Sequence, residues 1–131
     1  MLLTINPTIQ RLRAQLTWDS RQQFVIPNVR GIANRHYRLL YASNELEVEL
    51  YVESHHQERR MRGELLPLPV NSSRLPALVQ IQDSIQDRTI HELESDFQGN
   101  FHIDSLKPGM YNVLITPQTG SIIELSRLEL S

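Results

Sequence analysis

Between positions 46 and 53 apolar and polar residues alternate without an error. Leu46, Val48, Leu50 and Val52 fall on one side of an extended chain, and Glu47, Glu49, Tyr51 and Glu53 on the other. A helix would need apolar residues three and four apart, so this run predicts a strand with one face in a core and one in water. Such a strand needs partners, and the flanks supply them. Ser43-Asn44 is a turn signal after Tyr37, Leu39 and Tyr41, which alternate with Arg38 and Leu40. Ser54-His55-His56-Gln57 is another, before the alternating run Arg60-Met61-Arg62-Gly63-Glu64-Leu65.

Further on, glycine and proline set the corners. Prolines 67, 69 and 76 with Asn71-Ser72-Ser73 make 66–76 an irregular loop or sheet edge, because proline donates nothing to a ladder. Positions 78–82 read as a short strand with Val79 and Ile81 inward, 84–87 as a turn, and 89–95 as a strand entering a hairpin at Gly99. Gly99 can take the positive φ of a tight turn. Pro108-Gly109 predicts a second corner, with Gly109 supplying the left-handed position. Phe101 and Ile103 then share one face with His102 on the other, and Tyr111, Val113 and Ile115 share a face in the following strand. Near the end Ile123 and Leu125 keep one phase and Leu128 and Leu130 the other, a slip that a bulge or a move between sheets produces.

The N-terminal part, 1–34, reads as a strand and a wrapping segment. Leu12, Ala14, Leu16 and Trp18 alternate with Arg11, Arg13, Gln15 and Thr17, favouring a strand, while Ile9, Leu12 and Leu16 after Pro7 offer helical spacing instead. From 19 to 34 no period is sustained, as in a long connection. Eight or nine short strands and few helical signals predict an all-β chain, an antiparallel β-sandwich spanning 35–131 with an irregular N-terminal extension.

The chemistry available is limited. With 131 residues, a formal charge of −2 and no cysteine, the chain has no disulfide, thiol nucleophile or thiolate metal site, and no global basic field for nucleic acid or anionic lipid. Positions 1–66 hold nine arginines against seven acids; the remainder holds four basic residues against eight acids. No apolar run approaches a membrane span and no signal peptide is visible, so the expected location is cytoplasmic, with no membrane partner.

Five histidines (36, 55, 56, 91 and 102) invite a metal reading, and a hairpin at Gly99 would bring His91 and His102 together. No HExxH or other ligand spacing accompanies them, so no metal and no cofactor is expected. Nucleophile-elbow and phosphate-cradling motifs are absent, and catalysis is not expected. Protein recognition is left. Twelve of the thirteen basic residues are arginine, the type that anchors interfaces together with Tyr and Trp. The candidate protein-binding residues are Arg59, Arg60, Arg62, Tyr51 and Trp18; Gly99, Pro108 and Gly109 are the candidate structural turns.

The order of motifs from about Arg60 onward resembles the carboxypeptidase regulatory-like domain, a transthyretin-like (prealbumin-type) β-sandwich. Met61-Arg62-Gly63-Glu64-Leu65 stands at that family's V-x-G-x-V strand and Val79-Gln80-Ile81 at its V-x-L strand. Ser95-Asp96-Phe97-Gln98-Gly99-Asn100-Phe101-His102-Ile103 stands at T-D-x-x-G-x-F-x-F. Leu106-Lys107-Pro108-Gly109-Met110-Tyr111-Asn112-Val113-Leu114-Ile115 stands at L-P-P-G-x-Y-x-L-x-I. Ser95 replaces the usual Thr and Lys107 the first Pro. Leu16-Thr17-Trp18-Asp19-Ser20, with Arg38-Leu39-Leu40-Tyr41-Ala42 and the 46–52 strand, is similar to small bacterial proteins carrying this domain beside sigma-factor and signalling genes. The resemblance implies a non-catalytic recognition module whose partner is another protein, an accessory of a signalling, sigma-factor or protease system. A structural or carbohydrate-binding module of an envelope assembly is the alternative, and a small hydrolase or metalloprotein a third.

Overall fold

The computed structural model describes residues 10–22, 36–69 and 73–131. The wrapping segment expected over 19–34 and the loop over 66–76 fall partly outside the described residues. Among the described residues, ten strands form two five-stranded sheets. They are β1 (Arg11–Arg13), β2 (Gln15–Asp19), β3 (His36–Ala42), β4 (Leu46–His55) and β5 (Glu58–Pro67). Then follow β6 (Leu78–Asp83), β7 (Arg88–Glu94), β8 (Asn100–Leu106), β9 (Gly109–Thr116) and β10 (Ile122–Leu130). One sheet has the order β1-β10-β9-β6-β7 and the other β2-β3-β4-β5-β8.

The alternation read at 46–53 is the structural axis of the second sheet. Leu46, Val48, Leu50 and Val52 are at most 1% exposed and meet Tyr37, Leu39 and Tyr41 from β3 and Met61 and Leu65 from β5. Val79, Ile81, Val113, Ile115, Ile123 and Leu125 from the first sheet join the same buried cluster, so one apolar core serves both layers. Burying apolar area at about 25 cal/mol per Å² makes this cluster the main stabilising term.

The strand reading of 11–19 holds, with a refinement. The run is broken at the buried Ala14, whose N–H donates to the Glu124 carbonyl at 2.9 Å, and the chain changes sheets there. β1 runs parallel to β10, so the first sheet is mixed rather than purely antiparallel. The phase slip near the C-terminus is a bulge: Arg127 takes φ +57°, and Ile123, Leu125, Leu128 and Leu130 all point into the core.

Two expectations are corrected. The turn at Gly99 exists but closes no hairpin, since β7 is an edge of the first sheet and β8 an edge of the second. The turn is local: the Asp96 carboxylate accepts from the Gln98 and Asn100 N–H groups, which holds its pKa below the ordinary carboxylate range, Asn100 contributing most. Gly99 has φ +91°, and a Cβ there would stand 2.3 Å from the Leu65 carbonyl oxygen. The chain therefore turns tightly and then crosses to β5 because Leu65 N–H donates to the Gly99 carbonyl at 2.8 Å. The second correction concerns Gly109. It opens β9 opposite Leu130, and among the described residues the glycines with positive φ are Gly99 and Gly120. Pro108 lies in the connection by which β8 passes to β9 in the other sheet.

Burial pushes the Tyr41 phenol up to about 12. The folded state thus holds this proton more tightly than the unfolded chain. The associated stability is complete below pH 10, the unfolded value, and is lost as pH rises towards about 12. Tyr37 and Tyr111 are raised by burial in the same direction. Thermal melts across this window should show the midpoint falling with pH, by an amount worth on the order of 2–3 kcal/mol for Tyr41. Tyr41→Phe should flatten the slope; an unchanged slope would mean that Tyr41 is not the group being titrated.

Candidate functional site

The outward face of the second sheet carries the polar half of each alternating strand, and the register sets its side chains in rows. One row is His36, Glu53 and Arg60. The next is Arg38, Tyr51, Arg62 and His102, and the third is Leu40, Glu49, Glu64 and Asn100. Cross-strand neighbours on one face sit about 5 Å apart at Cβ, so each row is a line of contacts.

Tyr51 is the centre of the second row. The Arg38 and Arg62 guanidinium carbons each lie 5.3 Å from its ring centroid, one from each neighbouring strand. Planar cations at that range are attracted to the ring face. Glu49, two residues back on the same strand face, pairs with Arg38. Its hydrogen bond, with its negative charge, holds the Tyr51 phenol above its ordinary pKa. The result is a fixed aromatic group flanked by two cations on an exposed sheet.

Around it the surface dips. A depression of about 620 Å³ is lined by Arg38, Tyr51, Arg60, Arg62, His36 and His102, together with Glu53 and Asp104. His36 lies 3.9 Å from Glu53 and His102 lies 4.0 Å from Asp104. A second hollow of about 490 Å³ lies on the other side of Tyr51, Arg62 and His102 and reaches Glu64, Asp96 and Asn100. Arg60 touches the His55 ring nitrogen at 3.2 Å. Among the described residues neither Arg60 nor Arg62 has a carboxylate within 4.0 Å.

Of the residues singled out from the sequence, Tyr51, Arg60 and Arg62 are brought together here. Trp18 is on the same sheet face, 38% exposed, but pairs with Leu40 and sits two strands away. Arg59 is elsewhere. It shares the parity of Met61, so it falls on the other side of β5 from Arg60 and Arg62, and its guanidinium donates to the carbonyls of Ser131 at 2.7 Å and Glu58 at 2.9 Å. That is a strut within the fold. Arg38 and His102 belong to the site and were not singled out as binding residues. The tight Ser43-Asn44 turn fixes the β3–β4 register, so counting back from it places Arg38 opposite Tyr51.

His91 and His102, expected on paired strands, are in different sheets: His91 is opposite Ile81 and His102 opposite Arg62. Among the described residues no three His, Asp or Glu side chains converge as metal ligands, and no helix is long and apolar enough to cross a membrane. No family model, curated protein or solved structure matches the chain.

What the site offers chemically is recognition. Two guanidinium forks present multiple N–H donors at fixed orientation, a phenol adds a donor and a large rigid surface, and neighbouring carboxylates accept.

Proposed function

We propose that this chain is a non-enzymatic protein-recognition module that binds its partner through the outward face of the β2-β3-β4-β5-β8 sheet. The observation carrying this reading is Tyr51 held between Arg38 and Arg62 on an exposed, rigid sheet. Arg and Tyr concentrate binding energy at interfaces because they bury much area with little rotamer loss once they are already ordered. The two layers over one core support reading the architecture as a β-sandwich of the transthyretin-like, carboxypeptidase regulatory-like kind. The motif order supports it too: the glycine strand is β5, the V-x-L strand is β6, and the Asp96–Gly99 turn and Pro108-Gly109 flank β8. On that resemblance the module is a cytoplasmic accessory of a bacterial signalling, sigma-factor or protease system.

The test is recovery of a stoichiometric partner with the tagged full chain from its native host, under mild crosslinking. Tyr51→Ala together with Arg62→Ala should lower that recovery at least about tenfold, since a two-residue hot spot is worth more than 1.4 kcal/mol. Far-ultraviolet spectra of the variant should match the parent. Recovery of no stoichiometric partner, or recovery that the double change leaves intact, would remove this reading.

A further inference from the structure

The edges of the two sheets share one feature. Among the described residues the register is continuous in the inner pairings, β3 with β4, β4 with β5 and β6 with β9. It breaks at the edges, and there the additional residue is on the outer strand. In β2, Thr17 is inserted between Leu16, opposite Tyr41, and Trp18, opposite Leu40. In β7, Ile90 is inserted between Thr89, opposite Gln82, and His91, opposite Ile81. In β8, Asp104 and Ser105 together face Arg60, between the pairs Met61–Ile103 and Arg59–Leu106. The remaining edge strand, β1, is three residues long. Past Glu124, where β1 ends, β10 itself becomes an edge. There Ser126 and Arg127 bulge opposite Asn112, and the Arg21 guanidinium occupies the Glu129 carbonyl.

We infer that both sheets are closed to strand addition, and that the partner is a folded surface docking on side chains of the β2-β3-β4-β5-β8 face. A strand joins a sheet only along a row of N–H and C=O groups that repeats at the spacing of an extended chain. An inserted residue bends the outer strand, increases its twist and puts the groups on either side out of step. The runs left in one register are 91–94 on β7 and 100–103 on β8, near the lower limit of strand length. An extended peptide draws its affinity from such main-chain bonds. Without them it must meet the full cost of its own ordering through side-chain contacts alone. A surface that is already folded carries no such cost. The same closure keeps two copies of this chain from pairing edge to edge. The docking half of this inference rests on the recognition reading above; the closure of the edges does not.

The closure is tested on the full chain by sedimentation equilibrium. The parent should keep the mass of one copy up to about 500 μM, because no edge offers a template. Deleting Ile90 puts 88–94 into one register with β6, and that variant should associate at least about tenfold more strongly than the parent. Adding Thr89→Lys to the deletion should restore the single copy, since a lysine on an edge opposes pairing; general misfolding would not be reversed by it. Deleting Thr17 from β2 is the second variant, and far-ultraviolet spectra establish which deletions fold. A parent that pairs in this range, or folded deletion variants that both stay single, would overturn the closure. The docking half is read by amide hydrogen exchange with the captured partner bound. Exchange at 88–94 and 100–106 should slow by less than about tenfold, because no new ladder forms there. Slowing by tenfold or more would mean that the partner adds a strand: the recognition reading would stand and this inference would fall. If neither deletion variant folds, the exchange result decides. If no partner is captured, the recognition reading falls while the sedimentation result still judges the edges.

Discussion

Replacing Gly63 by alanine is expected to destabilise the fold by about 3 kcal/mol, although alanine is ordinarily the better strand residue by 0.5–1 kcal/mol. Gly63 and Phe101 are directly opposed on β5 and β8, and the end of the Phe101 ring occupies the space beside the glycine. A Cβ on Gly63 would fall 2.0 Å from Phe101 Cζ and 2.2 Å from Cε1. No flexible tail is available to give way, because the ring is in the core at 5% exposure. Phe101 must leave its place or β8 must peel from β5, and either opens a hole in a close-packed interior. Urea unfolding should show the midpoint falling with little change in slope. The companion variant carries Phe101→Leu as well. If the clash is the cause, the double change costs clearly less than the sum of the single ones. A Gly63→Ala variant as stable as the parent would show that the ring does not hold β8 in place.

That contact also marks where the sequence stopped being legible. Alternation located every inward residue of β4, and Leu46, Val48, Leu50 and Val52 are all buried. The slip between Ile123, Leu125 and Leu128, Leu130 correctly implied a bulge, because a change of phase is a local property of the chain. The destination of β8 was not local. Asp96 and Gly99 encode a tight turn, and from the turn alone a return along β7 is the natural expectation. The choice of sheet is made at a distance, by a glycine on β5 that leaves a slot for the Phe101 ring and by the Leu65-to-Gly99 hydrogen bond. The same limit applies to the site. Tyr51 and Arg62 each lie on the predicted polar face of their own strand, so both were readable. Arg38 completes the pair only through the β3–β4 register. Arg59 was legible as an outsider, because it shares the parity of Met61 and so lies on the other side of β5 from Arg60 and Arg62.

Removing Arg21 is expected to cost about 3 kcal/mol, the lower end for breaking a buried ion pair, because its side chain is still 16% exposed. Asp19 has a side chain only 6% exposed, and Arg21 satisfies it through two nitrogens, at 3.0 and 2.9 Å. The same guanidinium donates to the Glu129 carbonyl at 2.9 Å and the Ser131 hydroxyl at 3.1 Å, and lies 4.2 Å from the Tyr37 ring centroid. Tyr37 in turn accepts from the Ser131 N–H through its hydroxyl oxygen. One side chain thus binds the end of β2 in one sheet to the end of β10 in the other. Arg21→Ala leaves Asp19 buried with its charge unanswered and frees both strand ends. Asp19→Asn combined with Arg21→Met takes away the stranded charge and keeps a packing stem over Tyr37, so it should recover more than half of the lost stability. Thermal melts of the two variants at neutral pH distinguish the causes. If the double variant is no more stable than Arg21→Ala, the cost lies in the lost bonds to Glu129 and Ser131 rather than in the carboxylate. If Arg21→Ala melts within a degree or two of the parent, the two sheets are held at this end by their apolar core alone.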